Sequence, residues 1–317
     1  MSDSDSDLTT APSSPRFITR SPFDDGGAGA DVILRSSDGI DFHVHRLVLS
    51  LASSVFKDMF AFPQPDSDPV IPTVQVSESA RILDLVLRFW YPGAEPTVVQ
   101  TLDDLRETLE ALIMKYDVKF VVPSAKKKLR EHLADDPVAV FSIACRLQWK
   151  DVALEAAKES LKLPLRAFES ERPRQLQYMT AETYHTLLQY HSECAKVAAS
   201  ATAALQWANC QDIPGVNCTN WADPIACPRT GHWTFAHNTM APLTAWFSAY
   251  LDGATGVLSR SPAARLDSVD LLSLPLTKLG SCSSCRVDGF LELMNFLEIL
   301  RAKIDGDINS IELKLDI

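Results

Sequence analysis

A change of hydrophobic period at His45 constrains this chain more than any other feature of its sequence. Before it, two short stretches rich in apolar residues, 32–34 and 40–44, flank a Ser-Ser-Asp-Gly turn at 36–39. The second stretch alternates apolar and polar residues, which is typical of a half-buried strand. After it, helical spacing relates Leu47, Val48, Leu51, Val55, Phe56 and Met59. The pattern predicts a domain that opens with a strand, a turn, a second strand and a helix.

Composition divides the rest of the chain. Its 317 residues suit two domains of ordinary size. Residues 1–29 are rich in Ser, Asp, Pro and Gly, which predicts a disordered leader. We expect the first domain at 30–134 and a helical extension at 135–208. A Cys/His-containing region should follow at 209–317 and end in a long helix.

Periodicity predicts further elements in these regions. Residues 70–76 fit a strand, and Pro72 favours the edge of a sheet for it. Residues 82–90 are apolar on nearly every side, as in a buried helix. Further helices are predicted at 102–120, 123–133, 138–148, 151–163, 181–208, 240–252 and 288–313.

Net charge and the pattern of apolar residues limit the partners of the chain. A net charge of −11 argues against nucleic acid as a partner, because an acidic protein repels phosphates. No run of about 18 apolar residues is present, so we expect no membrane-spanning helix and no membrane partner. The first residues lack the basic start and apolar core of a signal peptide. The lack of signal-peptide features and the odd number of cysteines, seven, together predict an intracellular protein, cytoplasmic or nuclear, with reduced thiols.

Residues 31–60 carry a longer motif. It combines an Asp-apolar-apolar strand, a Phe-x-x-His step and a helix that ends Ser-x-x-Phe-x-x-Met-Phe, at Asp31, Phe42, His45, Leu49, Ser53, Phe56, Met59 and Phe60. With Tyr91-Pro-Gly93 and Tyr116-Asp-Val118, the pattern resembles a BTB/POZ domain over residues 30–134. The resemblance implies an α+β fold with a small sheet and a helical core, followed here by a mostly α-helical C-terminal region. The whole chain is also similar to BTB proteins of mushroom-forming fungi, the basidiomycetes.

The resemblance implies binding rather than catalysis. We expect a non-enzymatic protein–protein interaction module that homodimerises and assembles partners. Its dimer interface would include Leu47, Leu51 and Val55. Such domains also exchange an N-terminal strand, for which Phe17 and Ile18 are the candidates here.

One polar pair is expected from the same resemblance. Asp31 and His45 should bind each other and pin the first strand to the first helix. A buried histidine with satisfied hydrogen bonds explains His45 better than a metal-binding pair with His43.

An alternative within binding is a substrate adaptor of a cullin-type ubiquitin ligase. The resemblance implies an apolar-x-Glu motif in such adaptors, for which Pro92-Gly-Ala-Glu-Pro96 supplies Glu95. The helices at 137–163 resemble the extension that adaptors carry after the BTB domain. Residues 165–317 would then hold the substrate.

The cysteines form a second candidate site. Cys282-Ser-Ser-Cys285 has the spacing with which two thiolates bind one tetrahedral metal ion. A bound metal would also explain how the aperiodic stretch 209–233 stays folded. The predicted ligands of a structural zinc ion are Cys218, Cys227, Cys282 and Cys285, with Cys210 or His232 as substitutes. A redox dithiol and unliganded thiols remain alternatives.

The sequence predicts no catalytic residues. It contains no P-loop, dinucleotide-binding, nucleophile-elbow or His-Glu-x-x-His motif. The rival from another class is a zinc-dependent enzyme, which would need an open metal position for water. Four thiolate ligands would close the site and favour a structural role.

Overall fold

The chain folds as two compact units. A computed structural model describes residues 17–24, 29–62, 71–92, 94, 99, 101–164, 179–216 and 227–317. The units span residues 1–131 and 132–317. Their division falls close to residue 134, where the sequence predicts the end of the first domain. None of the helices in the described part of the chain combines the length and the apolar character that a membrane span requires.

The first unit contains a three-stranded sheet of order β2–β1–β3. The strands are β1 (Val32–Arg35), β2 (Asp41–Val44) and β3 (Thr73–Gln75). β1 pairs antiparallel with β2 and parallel with β3, which lies at the predicted edge. Alternate side chains of β1 and β2 are fully buried, namely Val32, Leu34, Phe42 and Val44. This alternation confirms the predicted strand–turn–strand pattern.

The described residues of the first unit also contain five helices, two of them between β2 and β3. They are α1 (Arg46–Ala52), α2 (Ser54–Ala61), α3 (Ala80–Trp90), α4 (Leu102–Glu110) and α5 (Val122–Arg130). A π-helical segment at Ala111–Lys115 and a 3-10 turn at Lys119–Val121 connect α4 to α5. Most residues of α3 are buried, as the sequence predicts.

A break at Ser53 separates α1 from α2, where the spacing predicts one helix. Ser53 has an extended backbone, and its side chain accepts a hydrogen bond from the N–H of Phe56 at 3.2 Å. It therefore caps the N-terminus of α2. Its hydroxyl also donates to the buried carbonyl of Tyr116 at 2.6 Å. These two bonds stabilise a break that hydrophobic spacing alone does not reveal.

The predicted disordered leader must be corrected at its C-terminal end. Phe23 is fully buried, and its carbonyl accepts a hydrogen bond from the N–H of His43 at 3.0 Å. The ring of Phe17 stacks on Phe42 with 6.3 Å between centroids, whereas Ile18 is 77% exposed. A single aromatic side chain buries enough surface to anchor such a segment. Average composition does not detect it.

The second unit is mostly helical in its described part. Its helices are α6 (Pro137–Arg146), α7 (Lys150–Ser160), α8 (Ala181–Ala203), α9 (Ala245–Leu258), α10 (Val269–Gly280) and α11 (Cys285–Asn309). α6 and α7 pack against each other. A two-stranded antiparallel sheet pairs β4 (Arg229–Thr234) with β5 (Met240–Thr244). The predicted long final helix is present.

Two expectations for the second unit need correction. Residues 240–244 form a strand, so the predicted helix begins only at Ala245. The partner strand β4 lies in the stretch that shows no periodicity, and a strand without a recognised partner is difficult to predict. α10 is absent from the prediction and contains Pro275 inside the helix.

Candidate interaction surface and cysteine cluster

The outer side of α1 exposes two leucines. Leu47 is 69% exposed and Leu51 is 78% exposed, and four residues apart they lie on the same side of the helix. Leu49 between them is fully buried. Val55 at the start of α2 is 37% exposed. We term Leu47, Leu51 and Val55, the residues predicted as a dimer interface, the α1 face.

Further apolar side chains are exposed on the segment between α4 and α5. Met114 is 55% exposed and Phe120 is 60% exposed. Glu95, the predicted adaptor residue, lies outside the described residues. Among the described residues of this segment, Met114 and Phe120 offer exposed apolar contacts.

Asp31 and His45 do not form the predicted polar pair, because each has another partner. Asp31 Oδ1 accepts a hydrogen bond from the backbone N–H of Arg46 at 2.7 Å. His45 Nδ1 and the hydroxyl of Tyr91 share a second hydrogen bond. Asp31 still joins the start of β1 to α1, since Arg46 is the first residue of α1. The motif marks both residues but does not reveal Tyr91, which lies 46 positions from His45.

Three cysteine side chains meet in the second unit. The Sγ atoms of Cys227, Cys282 and Cys285 lie within 4.8 Å of one another. These residues are only 2%, 1% and 4% exposed, respectively. The Sγ atoms of Cys227 and Cys285 are 3.7 Å apart. Within the described part of the chain, these are the metal-binding side chains close enough to share one ion.

Three separate places in the fold supply these cysteines. Cys227 precedes β4, Cys282 lies in the turn after α10, and Cys285 is the first residue of α11. The backbone N–H of Cys285 donates a hydrogen bond to Sγ of Cys282 at 3.4 Å. The sulfur thus satisfies one of the N–H groups that a helix leaves without an internal partner at its start. The Cys-x-x-Cys spacing produces this contact, because it places the first thiol opposite the amide three residues on.

The electrostatics of the cluster favour a thiolate at Cys282. Burial raises the pKa of this thiol, but hydrogen bonds from the N–H and the thiol of Cys285, and from Ser284 and Cys227, outweigh burial and lower the pKa to about 7. By contrast, burial alone raises the pKa of Cys145 to about 12. The N-terminus of α11 adds a partial positive charge near Cys282. The deprotonated thiol is the form that binds metals.

The predicted ligand set is therefore brought together in part. Cys227, Cys282 and Cys285 share one cluster, whereas Cys218 lies outside the described residues. The substitutes Cys210 and His232 are not members of the cluster, and His232 is exposed on β4. Sequence spacing cannot discriminate among such ligands, because strand pairing and helix packing determine which of them meet.

The first unit combines a three-stranded sheet with five helices and exposes apolar side chains on α1. In a comparison with protein-family models, residues 22–133 match the BTB/POZ domain. This domain is a non-enzymatic protein–protein interaction module, and the match spans about a third of the chain. Its start at residue 22 agrees with the burial of Phe23. A search of curated proteins finds no match, so the resemblance to basidiomycete BTB proteins stays a prediction.

Proposed function

We propose that the BTB/POZ segment homodimerises through the α1 face and brings a partner protein into the assembly. The observation that carries this proposal is the exposure of Leu47 and Leu51 on a helix that buries Leu49. Burying one leucine side chain stabilises a complex by roughly 1.5–3 kcal/mol. A two-fold dimer places the same patch of both copies in contact, which suits a self-complementary apolar face.

The oligomeric state of the full chain tests this proposal. We expect light scattering to give a dimer mass for the wild type and a monomer mass for the double variant Leu47→Asp/Leu51→Asp. The matched control is Leu291→Asp on α11, because Leu291 is 63% exposed and lies in the second unit. The control should stay dimeric. A monomeric wild type, or a double variant that still dimerises with an unchanged far-UV spectrum, would contradict the α1 face as the interface.

We also place the site of action inside the cell, in the cytoplasm or the nucleus. Proteins that contain this domain are typically intracellular, and residues 22–133 match it. Cell fractionation with an antibody against the full chain tests this, and recovery mainly from the medium would contradict it.

A substrate adaptor of a cullin-type ubiquitin ligase is the second candidate function. It is favoured by the packed pair α6–α7, which follows the BTB/POZ segment where adaptors carry a helical extension. Met114 and Phe120 would supply exposed apolar contacts, and residues 165–317 would hold the substrate.

Binding to a cullin N-terminal domain decides between a scaffold and an adaptor. For an adaptor, light scattering of the mixture should show a complex larger than either component, and Phe120→Asp should weaken it. Leu291→Asp again serves as the control and should leave the complex intact. If the wild type does not bind the cullin domain, the adaptor role is wrong and a homodimeric scaffold is the function that remains proposed.

A further inference from the structure

We propose that Cys227, Cys282 and Cys285 bind a zinc ion that holds the second unit together. The site would connect the start of β4 with the turn between α10 and α11. This inference is independent of the dimer and the adaptor functions, since it concerns the second unit alone.

The distances between the sulfur atoms suit a tetrahedral metal. Two sulfurs that bind one zinc at about 2.3 Å in tetrahedral geometry lie about 3.8 Å apart. The Sγ atoms of Cys227 and Cys285 are 3.7 Å apart, and all three sulfurs lie within 4.8 Å of one another. A disulfide between Cys227 and Cys285 would require about 2.05 Å. One ion placed among the three sulfurs would therefore need only small side-chain movements.

The chemistry of the cluster favours zinc over harder cations. Its members are all thiols, and thiolates select soft or borderline ions, whereas Mg²⁺ and Ca²⁺ take oxygen ligands. The N–H of Cys285 already donates to Sγ of Cys282, and such a bond to the ligand sulfur fixes its orientation for a metal. All three thiols are buried, and a ligand set made of cysteines is typical of structural rather than catalytic zinc sites.

The fold gives such an ion a structural task. β4 and β5 form a two-stranded sheet, and a pair of strands on its own is marginally stable in water. Cys227 directly precedes this sheet, and 58 positions separate it from Cys285. A metal that links them closes a long loop and fixes the sheet to the N-terminus of α11.

The metal content of the purified full chain tests the site. We expect about one zinc per chain by elemental analysis, in line with a single thiolate cluster. Removing zinc with a chelator should lower the thermal midpoint, and adding zinc should restore it. Cobalt added to the stripped protein should give the intense visible absorption of a tetrahedral cobalt–thiolate complex. These measurements use the wild type, so they do not depend on whether a variant folds.

Single substitutions assign the site to these residues. Cys227→Ser, Cys282→Ser and Cys285→Ser should each lose most of the zinc. The matched control is Cys145→Ser, because Cys145 is also buried but lies on α6. Cys145→Ser should keep its zinc.

Four results would overturn the proposal. The first is reduced wild-type protein that holds no zinc and takes up no cobalt, and the second is iron or copper in place of zinc. The third is an intact mass that reveals a disulfide between cluster cysteines. The fourth is zinc that remains bound after each of the three cluster substitutions.

Discussion

The hydroxyl of Tyr116 donates a hydrogen bond to Oε2 of Glu78 at 2.7 Å. Nζ of Lys115 also contacts the two oxygens of this carboxylate at 2.7 and 2.8 Å. Burial raises the pKa of Glu78, but the hydrogen bonds from Lys115 and Tyr116 outweigh it and hold the pKa below its ordinary value. The hydrogen bond between Tyr116 and Glu78 links the end of the π-helical segment to the residues just before α3.

Replacing Tyr116 by Phe should destabilise the first unit by roughly 1.5–3 kcal/mol, the range for a hydrogen bond to a charged group. Because the pKa of Glu78 is lowered in the folded state, its contribution is present above its unfolded pKa of about 4.3 and is lost as the pH falls through the folded value. The destabilisation should therefore shrink in acid. Urea-dependent hydrogen exchange of first-unit peptides, at neutral and acidic pH, measures it.

Tyr184→Phe is the control for this change, because Tyr184 lies on α8 in the second unit. It should leave the first unit unaffected. An equal loss of stability in Tyr116→Phe at both pH values would show that the charge of Glu78 does not contribute.

Replacing Phe23 by Ala should lower the free energy of unfolding of the first unit by about 3–5 kcal/mol, as for other buried aromatic side chains. Phe23 is fully buried, and its ring meets Tyr91 edge-on with centroids 5.1 Å apart. Ile18→Ala is the matched control, since Ile18 is 77% exposed and should change stability by less than about 0.5 kcal/mol. Thermal unfolding measures both. Similar midpoints for the two variants would mean that the BTB/POZ segment does not depend on residues before 30.

The stability of the second unit should fall between about pH 7 and pH 5, because His191 must take up a proton on unfolding. This side chain is 1% exposed, and its Nε2 bonds the carbonyl of Leu163 at 3.0 Å. Burial lowers its pKa, and the hydrogen bond to Leu163 opposes this only in part. With the folded pKa below the unfolded value of about 6.5, the unfolded chain binds more protons and acid favours it.

His191→Gln should reduce the fall in thermal midpoint between the two pH values. His185→Gln, on the exposed side of the same helix, should retain it. If the fall is unchanged in His191→Gln, another group controls the acid sensitivity of this unit.

Local patterns of the sequence predict much of the first unit. The alternation at Phe42 and Val44 reports burial on one side of a strand, and both residues are fully buried. The Cys-x-x-Cys spacing likewise predicts that Cys282 and Cys285 lie close together, because residues three apart at a helix start are neighbours. Such patterns depend on short-range geometry, which the spacing of residues along the chain determines.

Partners distant in the chain escape this kind of prediction. Tyr91 replaces Asp31 as the partner of His45 across 46 positions, and Glu78 meets Tyr116 across 38 positions. No local period encodes these contacts, since each joins segments that are distant in the chain and meet only in the folded protein. The burial of Phe23 is missed for a different reason, because one aromatic side chain hardly changes the average composition of a polar leader.

The seven-residue helix α1 assigns its leucines to two different environments. Leu49 is enclosed by the core, while Leu47 and Leu51 point to the other side and remain exposed. Replacement of the inner leucine is constrained by the shape of the interior, but replacement of the outer two changes only what the helix meets at the surface. If copies pair through the α1 face as proposed, duplicated chains can diverge at the outer positions alone and form assemblies that do not bind one another. One architecture would then support many mutually exclusive pairings within a single cell.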